Sequence, residues 1–210
     1  MKLVIFIIGL FLAKDSYSQN KFSFGINYHF DRISWTGTDA GTYNDGYYNP
    51  VNSKISLEGT YNSELIGVGT GVSFFNEEYK LRQVSNTDLN SINYKSNNIA
   101  IFLNTCLNFR KNKNTLFFAF NNEFIFTTQA SKTIDRPFGT INSNQVYELE
   151  ASTYNRWVAS FGIGYKFNFA EKFYFKIIPY CSINGSKKAV LVAEQDFYKL
   201  GVSLGVFRMF

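Results

Sequence analysis

Cysteine, proline and histidine are nearly missing from this 210-residue chain, at 2, 3 and 1 residues. Cys106 and Cys181 stand alone, with no Cys-x-x-Cys pair and no histidine at a useful spacing, so neither a disulfide framework nor a structural zinc site can be built from them. Charge of one sign is also scarce. The 21 Lys+Arg against 16 Asp+Glu leave a formal +5, and these charges are dispersed. The densest basic stretch, Arg110, Lys111 and Lys113, is short enough to be a solvated turn, and a nucleic-acid partner is not expected. Beyond the first 18 residues no apolar run approaches the ~18 of a membrane helix. Aromatics are abundant instead, at 19% with 23 Phe and 14 Tyr, which sets the chain apart from disordered sequences.

Lys2 precedes an unbroken apolar stretch from Leu3 to Ala13, followed by Lys14-Asp15 and by Ser16 and Ser18 around Tyr17. This pattern predicts a secretory signal peptide over 1–18, cleaved after Ser18, and a single mature domain over 19–210. The apolar core is far short of the ~20 residues that cross a bilayer as a helix. Losing Lys2, Lys14 and Asp15 takes the charge from +5 to +4.

Period-two alternation runs through the mature chain. Phe22, Phe24, Ile26, Tyr28 and Phe30 alternate with small or polar residues, so the aromatics share one face of a strand. The pattern returns around Ile55–Tyr61, Ile66–Phe74, Ile99–Phe109, Leu116–Phe126, Trp157–Phe169, Phe173–Ile177 and Tyr198–Phe210, which makes eight strands. Asn62–Glu64, Arg110–Thr115 and Ala170–Lys172 are short connections of hairpin type. Roughly Gly37–Asn52, Leu81–Asn93, Ile134–Glu150 and Asn184–Asp196 are longer polar loops, with a turn at Asn184-Gly185-Ser186. Short turns and both termini at one end, with long loops at the other, predict an all-β fold: an eight-stranded antiparallel up-and-down transmembrane β-barrel. From Trp157 to Phe169 the aromatic face carries no charge, as a lipid-facing surface requires, since a mid-bilayer charge costs ~2–4 kcal/mol there.

The alternation, the loop asymmetry and the closing segment Lys199-Leu-Gly-Val-Ser-Leu-Gly-Val-Phe-Arg-Met-Phe210 together resemble the small outer-membrane β-barrel proteins of Gram-negative bacteria. The resemblance implies location in the outer membrane, contact with its lipid, and recognition of the last strand, ending in Phe210, by the barrel assembly machinery. Arg208 stands where that family usually has an apolar or aromatic residue. The Asn-, Lys-, Phe- and Tyr-rich composition is similar to barrels of the Bacteroidetes type, including the PorT-like group, which implies partners among envelope or secretion proteins.

Four sets of residues are candidates for function. His29, Glu58, Asn104, Asn108, Asn121, Glu123, Lys166 and Lys176 fall on the inward face, where a network of paired side chains would fill the lumen of a small barrel. Phe22, Phe109, Phe169, Phe173 and Phe210 at the turn end and Trp157 at the loop end fit two interfacial aromatic girdles. Tyr43, Tyr47, Tyr48 and Tyr147 fall in the long loops, where aromatics mark contacts. His29 and Asp31, two apart, share a face and form the best catalytic lead. The expected function is a non-catalytic structural or interaction barrel of the cell envelope with no cofactor. The alternatives are a narrow pore, an outer-membrane enzyme using His29, and a soluble lipocalin-like carrier.

Overall fold

The computed structural model of the chain describes residues 22–35, 51–84, 89–111, 114–135, 145–184 and 197–210. The predicted leader and Tyr43, Tyr47 and Tyr48 lie outside the described residues. Among the described residues there are nine strands: β1 Phe22–Trp35, β2 Asn52–Asn62, β3 Ile66–Val84, β4 Leu89–Lys111, β5 Asn114–Asp135, β6 Gln145–Leu149, β7 Arg156–Ala170, β8 Phe173–Asn184 and β9 Phe197–Met209. Every pairing is antiparallel. Neighbours run β4-β3-β2-β1-β9-β8-β7-β5, and β4 pairs with β5 to close eight strands into a barrel. The ninth, β6, lies outside the cylinder, paired with Ala130–Ile134 of β5. Closure gives each of the eight strands a paired neighbour on both sides.

Phe22, the first described residue, and Phe210 meet at the turn end, where the Phe210 amide donates to the Phe22 carbonyl at 2.9 Å. Two predicted loops are corrected by the strand ladder. Leu81–Asn93 is mostly a hairpin, because β3 and β4 stay in register out to Val84↔Leu89. Its arms, Glu77–Val84 and Leu89–Ser96, mix polar and apolar residues without a sustained period of two, which hides them from an amphipathic search. Ile134–Glu150 contains β6 and a 3-10 turn at Ala151–Tyr154 follows it, so Tyr147 stands on a strand.

The aromatic faces point outward, as expected. Phe24, Ile26, Phe74, Ile101, Phe124, Phe161 and Ile163 are each about half exposed on the outer wall. Along β4 the outward apolar set from Ile99 to Phe109 covers about 25 Å of height at ~3.4 Å per residue and ~40° tilt, the height of a hydrocarbon-facing band. Thr70 and Thr105 interrupt it, but their hydroxyls donate to the Phe102 and Phe120 carbonyls at 2.8 and 3.3 Å. Arg208 sits at the turn-end rim with its guanidinium 5.0 Å from the Phe210 ring, where the head can reach water.

Inside, glycines face rings across the ladder. Phe117 is paired with Gly164, Phe207 with Gly25, Phe102 with Gly71, and Tyr180 with Gly201. A Cβ on Gly201 would lie 2.6 Å from the Tyr180 ring, and one on Gly71 would lie 2.7 Å from Phe102. The missing side chain on one strand is the space its neighbour's ring occupies, a pairing that pins the register.

Candidate functional site: the barrel lumen

The inward side chains form three tiers. At the loop end, Glu77 on β3 bridges Arg156 on β7 and Lys199 on β9, all buried. Lys199 also lies 3.9 Å from Asp31, whose carboxylate accepts from the Tyr180 hydroxyl at 3.3 Å. Alongside, Lys54 donates to Glu123 at 2.6 Å. At mid-height Glu58 accepts four donors: Lys176 and Asn27 at 2.7 Å, Thr60 at 3.0 Å and Asn104 at 3.1 Å. A carboxylate so surrounded keeps its charge away from water because its lone pairs are taken. At the turn end, Lys166 donates to Asn62 at 2.8 Å and lies 4.9 Å from the centre of the Tyr174 ring. Tyr174 stacks on Phe207, centroids 4.9 Å apart, and shares a 2.8 Å hydrogen bond with Ser23.

All the polar residues expected on the lumen face lie there, but they do not form one cluster. Glu58, Lys176 and Asn104 meet in the middle tier and Glu123 belongs to the pair above. Lys166 joins the turn-end stack, Asn108 donates to the Ser63 carbonyl at 3.2 Å, and Asn121 lines the mid-height cavity. Lys54, Glu77, Arg156 and Lys199 complete the network and were not among the expected members. Their inward parity was readable, since Lys54 shares the parity of Glu58, and Glu77 that of Ser73. Phe22, Phe109, Phe169, Phe173 and Phe210 are exposed on the outer wall at the turn end, and Trp157 at the loop end. Cys106 points inward and Cys181 outward, on opposite faces of the wall, and both are free thiols.

A cavity of about 50 Å³ remains at mid-height, lined by His29, Ser56, Glu58, Asn121, Glu123 and Lys176 among others. It has room for one or two waters at ~30 Å³ each, and is far below the ~300 Å³ at which ligand pockets begin. His29 Nε2 lies 2.8 Å from Ser56 Oγ, and Ser56 in turn lies 2.9 Å from Ser73 Oγ. Asp31 is turned to Tyr180 and Lys199, so the carboxylate that would orient the imidazole in a triad is engaged elsewhere. Among the described residues no group of three or more His, Cys, Asp or Glu side chains is arranged to hold a metal ion.

No family model matches the chain, and no curated protein matches it. Solved structures similar to it include the Neisserial surface protein A, at 10% identity over 90% of this chain and 97% of that one, with a TM-score of 0.49. Ail, the attachment invasion locus protein of Yersinia pestis, in complex with the heparin analogue sucrose octasulfate, is similar at 15% identity over 92% and 100%, TM-score 0.47. The outer membrane protease OmpT from Escherichia coli is similar at 9% identity over 94% and 99%, TM-score 0.47. The barrel is defined by its own closed ladder.

Proposed function

We propose that this chain is an integral outer-membrane barrel that works without catalysis as a structural and interaction protein of the cell envelope, with its termini in the periplasm and its long loops outside. The observation that carries the reading is the combination of an apolar outer band of membrane height with a lumen closed by paired charges and rings. Such a wall suits lipid, and such a lumen leaves no wide aqueous path. A soluble carrier would need the reverse: apolar residues around a cavity, and a polar exterior.

The loop end supports the interaction role. There β3, β4, β5 and β6 run on beyond the apolar band as a four-stranded sheet, with Val146 and Tyr147 of β6 exposed on its edge. The girdle aromatics anchor the barrel in the membrane, the leader directs export, and the assembly machinery reads the strand ending in Phe210. A PorT-like accessory role in secretion is the specific form of this function, supported so far by composition.

The test is electrophoretic mobility of the membrane-fraction protein with and without boiling, followed by planar-bilayer recording. A boiling-dependent shift in the outer-membrane fraction and a silent bilayer are expected. Recovery as a soluble periplasmic protein overturns the reading, and steady conductance replaces it with a narrow pore. Deleting the chain and assaying secreted protein tests the PorT-like form.

A further inference from the structure

Thr70, Thr105 and Asn122 interrupt the apolar outer band, and they do so differently. The two hydroxyls turn back on the wall, donating to the Phe102 and Phe120 carbonyls. Asn122 has no such outlet. Its amide makes no hydrogen bond within the chain, although it carries two donors and an acceptor. On the outer face of β5 it stands between Leu116, Phe118 and Phe120 on one side and Phe124 and Phe126 on the other. At ~3.4 Å per residue and ~40° tilt the amide lies about 10 Å inside the loop-end limit of that run and about 16 Å inside the turn-end limit. Headgroup water is out of reach of so short a side chain, and lipid tails offer an amide nothing to bond with.

The surroundings of the amide have a shape of their own. Across the ladder Asn122 is flanked by Leu103 on β4 and Ala159 on β7. Leu103 projects from the wall, 47% exposed, whereas Ala159 is only 8% exposed on the same outer face, sunk between Trp157 and Phe161. Phe161 packs on Phe120 with ring centres 5.0 Å apart, which closes the hollow on its turn-end side. One row of the wall thus passes from bulk through an amide to a hollow.

We infer that this face is the contact between two copies of the chain lying side by side in the membrane, their Asn122 amides paired across a two-fold axis along the membrane normal. The inference rests on the membrane reading proposed above. An amide is its own complement: each Nδ2–H donates to the other's Oδ1, so two copies satisfy what lipid leaves bare. Copies inserted in the same sense form a closed pair only about such an axis. That axis sets the β4 side of one copy against the β7 side of the other, bulk against hollow. A different protein would have to bring a matching amide to the same depth, whereas a second copy brings it by symmetry.

The test measures association of the full mature chain in phosphatidylcholine bilayers, by energy transfer between donor- and acceptor-labelled N termini over a range of protein-to-lipid ratios. Transfer should rise with that ratio. N122L is expected to weaken association about tenfold and to keep the boiling-dependent shift, because leucine suits a lipid face. N122Q, which retains the amide, should stay within about threefold of the parent. A159F fills the hollow without touching the amide and should also weaken association several-fold. In a C106A/C181A background, N122C should be oxidised to a cross-linked dimer, and I26C, on β1 directly across the barrel from β5, should not. A parent chain that stays monomeric, a folded N122L that associates as tightly as the parent, or equal cross-linking at the two positions overturns the inference. So does capture of Asn122→Cys by a different membrane protein in cells, which would make that protein the occupant. A chain that never enters bilayers takes the membrane reading down as well, whereas an inserted monomer overturns this inference alone, so the two failures are distinguishable.

Discussion

At the loop end the lumen is occupied by Glu77, Arg156, Lys199, Lys54 and Glu123, whereas at the turn end Phe117, Tyr174 and Phe207 fill it against glycines and beside Ser23. The two halves satisfy the same demand, a filled interior behind an apolar wall, by different means. Charges hold position through specific partners, so each is worth much or costs much according to whether its partner is present. Rings on glycines hold by shape, and tolerate loss of a polar atom better than a gain of volume. Lys176 joins the halves, because its ammonium reaches Glu58 at 2.7 Å and also sits 4.3 Å from the Phe207 ring centre.

The largest expected effect breaks the ionic half. Glu77→Gln leaves Arg156 and Lys199 buried without the carboxylate that bridges them, and should cost about 3–5 kcal/mol of unfolding free energy. Urea unfolding in vesicles, read by tryptophan fluorescence, measures it; a loss under about 1 kcal/mol would mean that this half is hydrated and its charges screened. Next comes the joint between the halves. Glu58→Gln and Lys176→Met should each cost about 2–4 kcal/mol, while the double variant should lose less than either alone, because neither charge is then stranded. Additive losses in that cycle would contradict a coupled pair.

How much of this could be read from the chain follows from the same division. Alternation exposed the eight staves and put Glu58, Lys176 and Lys166 inward, because parity is a local property of each strand. Partners were not legible: Glu77 meets residues 79 and 122 positions away, and that depends on how the barrel closes. Phe117, Tyr174 and Phe207 were passed over because an aromatic on the polar face looks like a lapse in the pattern until the glycine or ring opposite it is known. Strand β6 escaped for another reason: it is five residues long within a polar stretch and marks no break in the alternation of β5.

The aromatic half is challenged by adding volume. Gly164→Val places methyl groups in the space of the Phe117 ring and should cost about 1–3 kcal/mol, with part of the loss recovered when Phe117→Leu is added. A variant as stable as the parent would show that the ring has room to turn aside, and that this half is less tightly packed than the pairing implies.

The smallest effect belongs to His29, which lies between the two regimes. Its one hydrogen bond runs to Ser56, which keeps Ser73 as a second partner when the imidazole is lost. His29→Ala should therefore cost about 1 kcal/mol in the same unfolding assay. It should also leave mobility and membrane insertion unchanged, since the void it opens adjoins a cavity of only about 50 Å³. If a hydrolytic activity were found for the chain, the same variant would decide its origin. Lost activity with stability intact would make His29···Ser56 a working pair despite the engaged Asp31, and retained activity would leave the pair a strut between the ionic and aromatic fillings.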